Sequence, residues 1–240
     1  MRFSRINLLP LEHATVHKYW RCHNRAYLLS GHHLKALYLK CTEIGLNHRN
    51  TDNQVKVHAY SVMDNHVHQI VSYSGALTKL CHFMRVAHGV FGRRFNRLQK
   101  RSGAVANDRP KTALLQNDFH SMRAQFYVEA NPIRARMCMA ENLKLQTFTS
   151  YRYYAYGIVD EQTKLISPPT WYIKLGGTPK ERQAKYRSLF KAYLEKTDEM
   201  TVKLEMITPF VGEKDWADTQ KLRALRLVQL GMLLARPPPG

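Results

Sequence analysis

The chain has 240 residues, 44% of them apolar, with 37 Lys+Arg against 18 Asp+Glu and a formal net charge of +19. That apolar content supplies a core for one domain, or one domain with an appendage, and argues against global disorder. No apolar run approaches the roughly 18 residues of a membrane span, the first ten residues lack a secretory pattern, and Cys22, Cys41, Cys81 and Cys138 form no C-x-x-C pair.

The predicted elements run as follows. A strand covers His17 to Tyr27, and Gly31 punctuates it. His33 to Gly45 reads as a helix, with Leu34, Leu37, Tyr38, Cys41 and Ile44 at spacings of three and four. A strand follows at Val55 to Met63, with Val55, Val57, Ala59 and Ser61 on one face. Asp64-Asn65 turns it into another strand, His66 to Tyr73. A helix is expected from Ala76 to Gly89. Gly92 to Pro110, rich in Arg, Asn and Gly, reads as a mobile basic loop over a substrate groove. Asn117 or Asp118 caps a helix from Phe119 to about Ala130, and Pro132 kinks it or starts a new turn. Helices are predicted over Pro179 to Lys196 and Lys214 to Ala235, the second lined by Leu222, Leu225, Leu227, Leu230 and Leu233. The Pro237–Gly240 tail is expected to fray.

Charge is unevenly placed. Residues 1–157 hold 23 basic and 8 acidic side chains and all 12 histidines, whereas residues 158–240 hold 14 and 10. The first part therefore carries most of the positive field. Such a field attracts a phosphate-rich polyanion, and an anionic membrane surface is the weaker competitor because no single helix is both amphipathic and densely basic. The four cysteines read as thiols of a cytoplasmic protein.

Two motifs carry chemistry. In a strand, residues i and i+2 share a face, so His66 and His68 point to one side and can grip one divalent ion. Packed or surface histidines give the same pattern. Zinc would need further His, Cys or acidic ligands, and no such cluster sits nearby in sequence. On the predicted helix, Tyr127 and Asn131 are four apart and share a face. A hydroxyl and an amide meeting over one substrate, or a packed tyrosine with a helix-ending Asn-Pro, both fit. Glu129 falls on another face and is not cast as a base.

Together these segments resemble a known family. "SVMDNHVHQIV" (Ser61–Val71) and "FYVEANPIRARM" (Phe126–Met137) are similar to segments of the IS200/IS605-type transposases. The nearer match is their REP-associated tyrosine transposase branch, with its "-MPNHVHLL-" strand and "-YIHLNPVRAGL-" helix. "TSYRYYAYG" (Thr149–Gly157) resembles the branch's "-SSYRAY-G" element, and "WRCHNRAYLL" (Trp20–Leu29) its first strand and turn. The resemblance spans roughly residues 13–157. Asp64 stands where the branch has Pro, and Arg136 where it has Gly.

The resemblance implies an HUH-type single-stranded DNA nuclease and strand transferase. The implied fold is α+β, an antiparallel ferredoxin-like sheet with helices on one side. It implies His66 and His68 as metal ligands, Asn131 as a polar third ligand and Tyr127 as nucleophile. Mg²⁺ is the expected ion, with Mn²⁺ better suited by ligand softness. Arg93, Arg94, Arg97, Lys100, Arg101, Arg134 and Arg136 would hold DNA backbone. Expected partners are single-stranded or hairpin DNA, a terminal hairpin or REP palindrome, and a second copy of the chain, in a cytoplasmic, nucleoid-associated setting with no membrane. Residues 1–157 form the expected catalytic domain and 158–240 a helical extension of unassigned role. Tyr151, Tyr153 and Tyr154 either stack bases or pack. Two other readings stay open: a catalytically inactive nucleic-acid-binding module on the same fold, and a metal-dependent hydrolase without a covalent step.

Overall fold

Side-chain alternation and helical periodicity build a layered α+β molecule in the computed structural model. It describes residues 4–106, 108–196 and 208–234, with side chains to residue 230. A single turn, α1 (Arg5–Leu8), precedes β1 (Ala14–Arg21). Next come α2 (His32–Leu46), β2 (Val55–Val62), β3 (His66–Tyr73), α3 (Leu77–Leu98) and β4 (Lys111–Leu115). Beyond them lie α4 (Asp118–Glu129), α5 (Asn131–Arg134), α6 (Tyr151–Tyr156), α7 (Thr170–Ile173), α8 (Pro179–Lys196), β5 (Phe210–Val211) and α9 (Lys214–Leu234).

The strand order is β2-β3-β1-β4-β5. β1 through β4 pair antiparallel, and β5 adds parallel to β4. The run β1-α2-β2-β3-α3-β4 in that order is the ferredoxin-like arrangement expected from the sequence. Its helices do not all lie on one side. α2 and α3 pack together on one face, where Trp20 of β1 meets Tyr38 of α2 and Phe91 of α3. A Cβ on Gly45 would stand 2.9 Å from Ala87 Cβ and 3.0 Å from the Phe83 carbonyl, so that glycine sets how closely the two helices approach. α4 covers the other face, placing Tyr127 edge-on to His17 and His68 of the sheet. α8 backs α4: Phe126 packs among Trp171, Tyr186, Phe190 and Tyr193.

Several expectations are corrected. The stretch from Gly92 is not all loop: α3 runs to Leu98. Leu80, Phe83, Met84, Ala87, Phe91 and Phe95 are all buried. That stripe continues across Gly89 and Gly92, offsetting the roughly 1 kcal/mol each glycine costs relative to alanine, and the arginines occupy the outward side. β1 ends at Arg21, and the chain then turns through Asn24 and Arg25, both with positive φ. Alternation in β2 breaks at a bulge between Val57 and Ala59. β4 and β5 were not anticipated. The leucine stripe of α9 is not a uniform buried face: Leu222 and Leu230 are exposed, whereas Ala224 is buried. Leu233 and the Pro237–Gly240 tail lie outside the described side chains. The four cysteines are free thiols.

Candidate functional site

On the α4 side of the sheet, His17, Tyr19 and Arg21 of β1 project together by strand alternation. The antiparallel register sets Tyr19 opposite His68 and Arg21 opposite His66. The His66 and His68 rings lie 5.0 Å apart and nearly perpendicular. Tyr127 comes from α4 and meets His68 edge-on at 5.7 Å and His17 at 5.9 Å. Tyr19 lies 4.8 Å from His68. His68 is thus the centre of the group. His17, His68 and Tyr127 are 3%, 5% and 8% exposed, whereas His66 is half-buried.

The supports of each side chain are local. The β2–β3 turn is pinned by an ion pair of 2.7 Å between Lys35 and Asp64, the residue that departs from the branch's proline. The Leu29 N–H donates to the Asp64 carbonyl, and Asn65 Nδ2 donates to the Arg25 carbonyl. Asn65 Oδ1 lies 2.6 Å from His66 Nδ1, and His17 Nε2 lies 2.8 Å from His68 Nδ1. Both site histidines therefore engage Nδ1 and leave Nε2. Burial pulls His17 down to about 4, and burial with Arg21 nearby does the same to His66. His68 falls well below its ordinary value, first from burial and then from its histidine and arginine neighbours. Each shift disfavours the charged imidazolium, and a neutral ring is the form that ligates a cation.

Asn117 caps α4 by accepting from the His120 N–H. At the other end, Asn131 Nδ2 donates to the carbonyls of Tyr127 (2.9 Å) and Val128 (3.1 Å). The amide satisfies helix-end acceptors through its Nδ2. Arg134 donates from Nη1 to the Tyr127 carbonyl and from Nη2 to Tyr193 Oη, both at 2.8 Å, with its guanidinium 4.7 Å from the centre of the Tyr127 ring. Burial raises the Tyr127 phenol, and this guanidinium opposes the rise. Glu129 faces away: Tyr186 Oη and Ser150 Oγ each donate to it at 2.6 Å, and burial lifts it to about 8.

The other expected contacts divide. Arg93, Arg94, Arg97 and Lys100 are exposed at the end of α3, and Arg136 is exposed past α5. Arg101 is half-buried, lying over the Phe95 ring. The loop after α3 returns to the His66 end of the sheet, where the His23 N–H donates to the Val105 carbonyl and Cys22 bridges Ala106. Tyr151 and Tyr154 are buried and pack on Phe190 and Tyr186, so they are not base-stacking platforms; Tyr153 is half-buried.

Sequence reading missed His17, Tyr19 and Arg21 as neighbours of the histidine pair. The signal was present as alternation: β1 repeats polar residues at i, i+2 and i+4 just as β3 does at its start. Among the described residues no three His, Cys, Asp or Glu gather to hold a metal ion. Among the described residues, no helix is long and apolar enough to cross a membrane.

No family model matches the chain, and no curated protein matches it. Among solved structures it is similar to a REP-associated tyrosine transposase bound to a REP hairpin, at 12% identity and a TM-score of 0.49 over 68% of this chain and 90% of that one.

Proposed function

We propose that the chain is a metal-dependent tyrosine transposase: an endonuclease and strand transferase acting on single-stranded or hairpin DNA through a 5′-phosphotyrosine. The observation that carries this reading is the grouping of His66, His68 and Tyr127. Two motifs some sixty residues apart in sequence supply side chains to one cluster about His68, and both belong to the family resemblance. On this reading residues 1–157 are the catalytic unit and 158–240 its helical extension, with α8 buttressing the helix that carries the nucleophile.

The donor atoms suit a divalent ion of the Mg²⁺ or Mn²⁺ kind. His66 and His68 would offer Nε2 and Asn131 would offer Oδ1, with no thiolate among them. Such an ion, when bound, offsets the charge that grows on a scissile phosphate. The residues do the rest. Tyr127 Oη attacks phosphorus in line, the Oη–P bond forms and the P–O3′ bond breaks. The phenol loses a proton and the departing 3′-oxygen gains one, so the step is proton-neutral. The phosphotyrosine conserves the bond energy, and a second 3′-hydroxyl reseals the strand by the reverse attack. Arg134 holds the backbone of Tyr127 and its positive charge favours the phenolate. The exposed arginines at the end of α3 supply salt-sensitive affinity for the DNA backbone.

The test is incubation with hairpin-bearing single-stranded DNA and Mg²⁺. The expected product is a protein–DNA adduct that survives denaturant and is absent in Tyr127→Phe. Binding without cleavage would identify an inactive nucleic-acid-binding module. Cleavage that persists in Tyr127→Phe would identify a hydrolase with no covalent step.

A further inference from the structure

The contact between His17 and His68 lies outside both sequence motifs. His17 comes from β1 and His68 from β3, their rings lie 5.0 Å apart within 8° of parallel, and Nε2 of one is 2.8 Å from Nδ1 of the other. A hydrogen bond between two ring nitrogens needs one to carry the proton and the other to be bare. Which one carries it decides what His68 can do. If His68 Nδ1 is the donor, its Nε2 is a free lone pair. If His17 is the donor, His68 must carry its own proton on Nε2 and can ligate nothing there. His66 is held in the same way at Nδ1, but by the side-chain oxygen of Asn65.

We propose that His17 is a positioning residue that accepts the Nδ1 proton of His68, fixing the tautomer and ring orientation that turn Nε2 toward the cation. This rests on reading His68 as a metal ligand. Outer partners of ligating histidines are ordinarily carboxylates, backbone carbonyls or waters; here a second imidazole fills that place. A carboxylate would be costly in this position, because the group is buried and would stay charged without a paired cation. A neutral ring supplies the acceptor at less desolvation cost, and the near-parallel alignment of the two rings, edge to edge along the hydrogen bond, restrains the ring plane as well.

Two measurements test it. The first needs no metal: ¹⁵N-detected histidine NMR of the metal-free chain reads the His68 tautomer directly. The expected state is Nδ1–H with bare Nε2 in the wild type, and a mixture in His17→Ala. A His68 that carries its proton on Nε2 in the wild type overturns the proposal. The second is Mn²⁺ binding followed by electron paramagnetic resonance. His17→Ala should weaken binding by about 10–100-fold, and His17→Gln, whose Oε1 can accept the same proton, should recover most of it. Equal affinity in the wild type and His17→Ala overturns the proposal while leaving the metal reading intact. A wild type that shows the Nδ1–H tautomer yet binds no Mn²⁺ sinks the metal reading instead, and the role of His17 with it. Should His17→Ala not fold, His17→Gln and His17→Met make the same comparison at similar volume. A purely structural role would lower the melting temperature of both and leave their Mn²⁺ affinities alike.

Discussion

The two faces of β1 and β3 are drawn from alternate residues of the same two strands in one register, and they are covered and paired differently. Toward α2 and α3 point Lys18, Trp20 and Gln69; Lys18 Nζ donates to Tyr38 Oη and Gln69 Oε1 and sits over the Phe83 ring. His88 of α3 stacks on Trp20, and among the described residues its two ring nitrogens and Gln69 Nε2 find no hydrogen-bond partner. Toward α4 point His17, Tyr19, Arg21, His66 and His68. Both faces are polar, so polarity in a strand does not mark a site. What separates them is cover and pairing. The helices α2 and α3 cover one face, while on the other, under α4, His66 stays half-buried, and His66 and His68 are both engaged through Nδ1, by Asn65 Oδ1 and by His17 Nε2.

The sharpest way to break this comparison is to cut one side chain from each face. His66→Ala is expected to reduce DNA cleavage by roughly 10²–10³, since the charge stabilisation it supports is worth several kcal/mol. His66 is half-buried, so the melting temperature should move by only a few degrees. Trp20→Ala is the mirror experiment. It empties a fully packed position against Tyr38, His88 and Phe91, with an expected loss of about 3–5 kcal/mol in denaturant unfolding. Cleavage per folded molecule should stay at the wild-type level. If Trp20→Ala removed cleavage from fully folded protein, the two faces would not be functionally distinct.

A smaller effect separates the faces by pH. Burial, helped by Arg5, pulls Lys18 down to about 7. Its unfolded value is near 10.4, so between these limits the unfolded chain binds a proton that the folded chain does not. Stability from this group therefore rises with pH across roughly 7 to 10, by at most about 1.4 kcal/mol per pH unit. Cys22, raised to about 11 by burial, pulls the other way above its unfolded value. The measurable quantity is the difference between wild type and Lys18→Met in urea unfolding at pH 7 to 9.5. Lys18→Met should lack that upward slope, and parallel curves would mean that Lys18 keeps its proton in the fold.

Much of this arrangement was legible from the residues. The β2–β3 hairpin and the helices on either side of it follow from periodicities before residue 90, the ferredoxin-like crossing was expected only through the family resemblance, and Pro179–Lys196 matches its predicted bounds because proline opens the helix and the buried residues Tyr186 and Phe190 mark its inner side. The spacing of four between Tyr127 and Asn131 matches a local contact, the Asn131 amide donating to the Tyr127 carbonyl across the junction of α4 and α5. Other features were not, for identifiable reasons. Gly89 and Gly92 read as breakers because a local rule does not see the Phe91 and Phe95 burial that outweighs them. Four of the five residues of β4 are buried, so it shows no alternation. β5 is two residues long and exists only through its partner. His17 looked like an ordinary strand residue because its meaning lies in the register with β3, which no single segment encodes.

The smallest expected effect tests which basic residues meet DNA. Arg93, Arg94 and Arg97 project into solvent from the helix that seals the inert face, at the end where the following loop returns to Cys22 and His23. Arg134 was grouped with them by sequence, yet it donates to the Tyr127 carbonyl and to Tyr193 Oη. Counterion release distinguishes the two kinds. Each lost phosphate contact to single-stranded DNA should flatten the dependence of log affinity on log salt by about 0.7. Arg93→Ala, Arg94→Ala and Arg97→Ala should each approach that change with cleavage of bound DNA intact. Arg134→Ala should leave the salt slope unchanged and slow adduct formation, because a guanidinium already spent on the Tyr127 carbonyl releases no counterion when DNA arrives. A matching loss of slope in Arg134→Ala would place that arginine on the phosphate backbone, and the DNA contact would then extend across α5 rather than end at Tyr127.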